Sequence, residues 1–135
     1  MGSDIAPPPL VVRPAEISAA IHDQYRNVSI AKVNDHEVRL SVMTGGFDWH
    51  SHPDSDETFL VLEGELLIQF EESEVRLSPG ELLTVPKGVI HRTEAIGERS
   101  VNLTFERTDA DSVSRTPINS TGTNTIATAD DEVTG

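Results

Sequence analysis

The sequence contains no cysteine, which rules out a disulfide scaffold, a thiolate zinc site and a cysteine nucleophile together. It has no apolar run of membrane-spanning length. Met1-Gly2-Ser3-Asp4 is not a basic stretch leading into an apolar one, so no secretory signal is read there. Ala6 stands where a myristoylation motif needs Ser or Thr. Positive charge is scarce: 10 Lys and Arg against 23 Asp and Glu give a net charge of −13. Such a field repels nucleic acid and anionic membranes, and it disfavours small anions unless a local Arg intervenes. No internal repeat is present. The reading is a soluble, cytoplasmic protein whose partner is neither a nucleic acid nor a membrane.

What is present fits one domain, because 135 residues are enough to bury a core but not to build two. Residues 1–25 read as an arm and a short helix. Pro7-Pro8-Pro9 is extended, Pro14 opens the helix, and Ile17 and Ile21 fall four apart on one face. Residues 26–107 change to a period of two, with short apolar strands divided by turn residues: Asn34-Asp35, Gly45-Gly46, Pro53 to Asp56, Gly64, Pro79-Gly80 and Pro86-Lys87-Gly88. Gly64 is read as a turn between a strand at Glu57–Glu63 and a return strand at Glu65–Glu71. Two further strands are read at His91–Ala95 and Arg99–Glu106. This spacing predicts an all-β antiparallel sandwich or barrel. Residues 108–135, rich in Ser, Thr, Asp and Gly, read as a polar C-terminal tail. It is either disordered or laid along the barrel or a partner chain.

The chemistry concentrates in a few positions. His50 and His52 are two apart in a strand, so both imidazoles share a face. A polar turn follows, and Glu57 opens the next strand. His91 opens another after Pro86-Lys87-Gly88. If these strands line one barrel, three imidazoles and one carboxylate converge, a set suited to a divalent transition metal. Four such ligands leave open positions on a metal that prefers six, whereas a tetrahedral structural zinc would be closed. The plain alternative for each residue is a surface or core histidine, or an edge-strand charge. His22 and His36 have no motif around them and read as solvated. Asp48, Asp54 and Asp56 read as a polar turn.

The run from Gly46 through His50-Ser51-His52 and Glu57 to Gly64 resembles the first cupin motif. The run from Gly80 through Pro86-Lys87-Gly88 to His91 resembles the second. Gly46 stands closer to His50 than the motif has it, and Ala95 stands where the second motif ends in Asn. The likeness is to small single-domain cupins, often labelled mannose-6-phosphate-isomerase-like. It implies a cupin double-stranded β-helix, a jelly-roll barrel with one short N-terminal helix. It also implies one divalent metal on His50, His52, Glu57 and His91, without distinguishing Fe, Mn, Ni, Zn, Co or Cu. A fold hosts many reactions, so no single activity is implied.

Phe59 and Val61 share the parity of Glu57 and are expected in the pocket, with Leu83 and Val85 adding to that wall and Arg39, Tyr25 and Gln69 as polar groups within reach. The expected pocket is apolar with one charged centre. Three function classes stay open: an enzyme on a neutral or aromatic small molecule (dioxygenase, lyase or cyclase type), a sugar or sugar-phosphate isomerase, and a non-catalytic metal- or ligand-binding module. The first leads, because a phosphate subsite needs several inward cations and only Arg39 offers itself. A homodimer is expected, since Leu60 and Leu62 point away from the lumen and need cover.

Overall fold

The computed structural model describes residues 7–115 and 117. The rest of the stretch read as a polar tail lies outside the described residues. After an exposed Pro7–Val12, the elements run α1 (Pro14–Ala19), β1 (Tyr25–Val33), β2 (His36–Met43), β3 (Gly46–Ser51), β4 (Glu57–Gln69), β5 (Glu74–Leu77), β6 (Leu82–Val85), β7 (His91–Arg107) and β8 (Val113–Ser114). All strand pairs are antiparallel. The strand path is β1-β2-β7-β3-β8, while β4 pairs with β5, β6 and β7. The result is an all-β double-stranded β-helix with one short helix. No helix among the described residues is long and apolar enough to cross a membrane.

Gly64 does not turn the chain back. β4 runs through it as a single strand of 13 residues, and the two strands read between His91 and Glu106 are likewise one strand of 17. Each bends instead of reversing. The β4–β7 register slips between Val61 and Glu63 and again between Glu63 and Glu65, across Gly64, and Gly64 and Gly97 both have positive φ. The first half of β4 pairs with the end of β7, and the second half with its beginning. These two bent strands carry the sheet around the interior. A glycine therefore marks a bulge and bend here, not a hairpin.

The core has two layers on opposite faces of the sheet. Inside lie Met43, Phe59, Val61, Leu66, Ile68, Leu77, Val85 and Ala95. Outside, Val38, Leu40, Val42, Val101 and Leu103 pack with Ile21. Ile17, Leu60 and Leu62 join that outer cluster, so the chain itself covers much of the face that pointed to a dimer. Arg99 fastens the layer by donating to the carbonyls of Ser18 and Ile21 at the end of α1, at 2.7 and 2.9 Å.

Candidate metal centre

The end of β3, the start of β4 and the start of β7 meet at one rim of the fold. His50 lies directly opposite His91 in the β3–β7 register, and Glu57 pairs with Val85 of β6. His52 follows the end of β3, and its carbonyl accepts from Gly88 N at 2.8 Å, tying the Pro86-Lys87-Gly88 turn to the site. The result is that one ligating atom from each of His50, His52, Glu57 and His91 lies within 4.8 Å of the others, and all four residues are buried.

Each imidazole is fixed in one tautomer. Nδ1 of His50 donates to the Asp48 carbonyl at 2.8 Å, Nδ1 of His91 to the Val89 carbonyl at 2.9 Å, and Nδ1 of His52 to the Asp111 carbonyl at 2.9 Å. All three Nε2 atoms are thereby turned into the site with a lone pair free. None of them, and neither oxygen of Glu57, has a hydrogen-bond partner. Yet Nε2 of His52 and of His91 stand 3.1 and 3.3 Å from Glu57 Oε1. Lone pairs facing a carboxylate at that range repel unless a positive charge sits between them. A divalent cation, or in its absence a proton, meets that need, so the residues fit a metal.

The electrostatics report the same tension. Burial, aided by the charge of His91, pushes His50 down to about 4. Burial alone would lower His52 too, but its contact with the Glu57 carboxylate carries it up to about 9. Burial opposes ionisation of Glu57, and His52 and His91 outweigh it, leaving Glu57 below its ordinary value. Without metal, then, contact with Glu57 favours the charged form of His52.

Phe59, Val61 and Val85 are buried together in the inner cluster, with Leu83 packed against it. The Phe59 ring stands edge-on to His91, 6.1 Å between centroids. Arg39 is half-buried; its Nε donates to Asn27 Oδ1 and its Nη1 to Glu37 Oε2 at 3.1 Å. Gln69 faces outward instead, bonded to Arg92 and Glu74. Tyr25 stacks on Phe47, which in turn meets His50 edge-on. Asp54 and Asp56 serve turns, accepting from the backbone of Asp111 and Lys87. His22 and His36 are exposed.

One residue near the site escaped the sequence reading. Glu106, near the end of β7, is buried with Oε1 4.0 Å from His52 Nε2. Burial, then the neighbouring Glu57 charge, pushes it up to about 8. The chain directly after β7 comes back so that β8 pairs with β3 at His50 and Ser51, as the alternative of a segment laid along the barrel had it.

A family profile for the cupin domain, Cupin_2, matches residues 36–105. The chain is 50% identical over 98 residues to the uncharacterized protein YdbB of Bacillus subtilis (strain 168), covering 72% of this chain and 86% of YdbB. It is 37% identical over 57 residues to the tetracenomycin polyketide synthase protein TcmJ of Streptomyces glaucescens, spanning 42% of this chain but 38% of TcmJ. Among solved structures, a cupin-2 domain containing protein from Shewanella frigidimarina NCIMB 400 superposes with a TM-score of 0.68 at 33% identity, over 72% of this chain and 94% of that one.

Proposed function

The chain belongs to the Cupin_2 family of cupin domains, and from that premise we propose a divalent-metal-dependent enzyme acting on a neutral or aromatic small molecule by dioxygenase, lyase or cyclase chemistry. The observation that carries this reading is the convergence of three tautomer-fixed Nε2 atoms and the Glu57 carboxylate, all buried and without hydrogen-bond partners, beside Phe59. His50, His52, Glu57 and His91 would hold the ion. When bound, it supplies Lewis acidity toward substrate oxygens or, if redox-active, electrons for dioxygen chemistry.

The chain's own residues do the rest. Phe59, Val61 and Val85 give a flat ligand an apolar face and keep bulk water from the centre. Arg39 spends its guanidinium on Asn27 and Glu37, which leaves a phosphate without a strong partner and argues against the phosphosugar isomerase reading. The likeness to TcmJ supports carbonyl-rich substrates. A polyketide is a chain of alternating carbonyls, and its enolised diketones are chelators.

The test is metal analysis of protein purified without added metal, followed by dioxygen uptake with catechol and acetylacetone. Iron with uptake supports an oxygenase. Zinc or nickel without uptake moves the reading to lyase or cyclase chemistry, and protein that takes up no divalent metal overturns it. A cytoplasmic location and a homodimer complete the proposal. Leu10, Val11 and Val12 are exposed along the N-terminal arm, as are Val33 and Leu82 elsewhere. A monomeric mass by light scattering at micromolar concentration would remove the dimer.

A further inference from the structure

Along its second half, the inward face of β7 is polar. Ser100, Asn102, Thr104 and Glu106 alternate with Val101, Leu103 and Phe105, and it is the apolar set that joins the outer cluster beneath α1. The register fixes the polar set opposite interior residues: Asn102 lies across from Val61 and Thr104 across from Phe59 on β4, while Ser100 lies across from Met43 on β2. Asn102 Nδ2 reaches only Met43 Sδ, at 3.9 Å, and Glu106 Oε1 lies 4.0 Å from His52 Nε2. All four side chains are more than nine-tenths buried. Ser100 Oγ, Asn102 Oδ1, Thr104 Oγ1 and Glu106 Oε1 nevertheless have no hydrogen-bond partner.

Unpartnered polar atoms in a folded interior are costly, and four on one strand face are far above what packing tolerates. They need a partner from outside the chain. We propose that this face is a recognition wall for hydroxyl groups of the substrate, opposite in character to the apolar wall of Phe59, Val61 and Val85. The proposal rests on the metal-enzyme reading above and narrows its substrate class. The unpartnered set offers an amide oxygen, a carboxyl oxygen and two hydroxyls. A hydroxyl group can donate to the first two and exchange roles with the others. An anion would meet the buried carboxylates of Glu37 and Glu57. A cation is not needed, because Arg39 already stands beside Glu37. The ligand is therefore an uncharged, flat molecule with adjacent oxygens toward the metal and a further hydroxyl toward β7.

Calorimetry on the zinc-loaded protein, without oxygen, tests this with three probes: catechol, pyrogallol with one further hydroxyl, and 3-methylcatechol with a methyl group in its place. The native protein should favour pyrogallol over 3-methylcatechol by roughly tenfold or more. Thr104→Val and Asn102→Leu, each near-isosteric, should erase that preference with zinc content unchanged. If the catechols bind with no preference in native protein, or the preference survives in both variants, the wall is refuted while the aromatic reading stands. If mannitol binds more tightly than every catechol and weakens in the variants, the wall stands and the aromatic reading falls. Zinc-loaded protein that binds none of the probes refutes both.

Discussion

His52 Nδ1 donates to the backbone carbonyl of Asp111, 59 residues further along the chain, at 2.9 Å. The other two histidines take carbonyls from two residues before themselves, Asp48 and Val89, so their orientation is local to their own strands. His52 alone depends on chain beyond the barrel. That chain is held by the β8–β3 pairing, by Asp111 N on Asp54 Oδ1 at 3.2 Å and by Arg115 N on the Trp49 carbonyl at 3.1 Å.

Deleting residues 108–135 should therefore weaken metal binding by about 10- to 100-fold, the usual cost of losing an outer partner of a ligating imidazole. The barrel should survive, because both clusters of the core lie before residue 108. Asp54→Ala should give a milder loss in the same direction. Competition titration with a chromophoric chelator, with circular dichroism to report folding, reads both. Unchanged affinity in the truncated chain would detach this segment from the site.

His52→Ala and Glu57→Gln act on the centre itself. Each should lower metal affinity by more than about 100-fold, since the loss of an outer partner alone reaches that range. They differ without metal. Contact with Glu57 is what carries His52 up to about 9, so Glu57→Gln should return the His52 titration toward or below 6.5. Nuclear magnetic resonance of the imidazole protons would follow it, and a His52 still titrating near 9 in Glu57→Gln would assign the shift elsewhere.

At Gly64 a Cβ would lie 2.1 Å from the Arg99 carbonyl oxygen, and φ is +73°. At Gly97 φ is +89° but nothing lies within 4 Å. Gly64→Ala should therefore cost about 2–4 kcal/mol, from strain and a backbone collision together, and Gly97→Ala about 1 kcal/mol from strain alone. Equal losses in urea denaturation would mean that the close approach at Gly64 relaxes freely.

These positions mark what the sequence could and could not convey. The period of two and the His50/His52/Glu57/His91 spacing carry the strand content and the four-residue group that could hold a metal ion, because both are local or sit in fixed motifs. Gly64 misled, because a glycine signals positive φ without saying whether the chain reverses or bends; the cross-strand register decides that. The faces of β7 went unassigned for a different reason. Val101, Leu103 and Phe105 alternate as a core face should, but they pack outward beneath α1, and the polar residues between them turn inward. Alternation reveals two faces, and only the tertiary packing tells which one encloses the site. The tie between His52 and Asp111 had no signal at all, since the acceptor is a backbone carbonyl and any residue supplies one.

The pH dependence follows from three shifted groups. His52 is raised to about 9 from 6.5, and Glu106 to about 8 from 4.5, so the folded metal-free protein holds more protons than the unfolded chain across those intervals. Where the folded state binds more protons, stability falls as pH rises. The contribution of His52 is complete below 6.5 and is lost as pH climbs through 9, and that of Glu106 falls between 4.5 and 8. His50, lowered to about 4 from 6.5, acts oppositely: stability rises from pH 4 to 6.5 as the unfolded imidazole gives up its proton. Metal-free protein should thus lose stability steadily from about pH 6.5 to 9. A bound metal ion takes the place of the proton on His52, so the loaded protein should lose less over the same range. Metal affinity should also climb by up to about tenfold per pH unit there, for the one proton displaced. Thermal melts of both forms from pH 5 to 9 check the signs. A gap between loaded and metal-free melting temperatures that stays constant or narrows toward pH 9 would show that His52 is not the proton-bearing group at the centre.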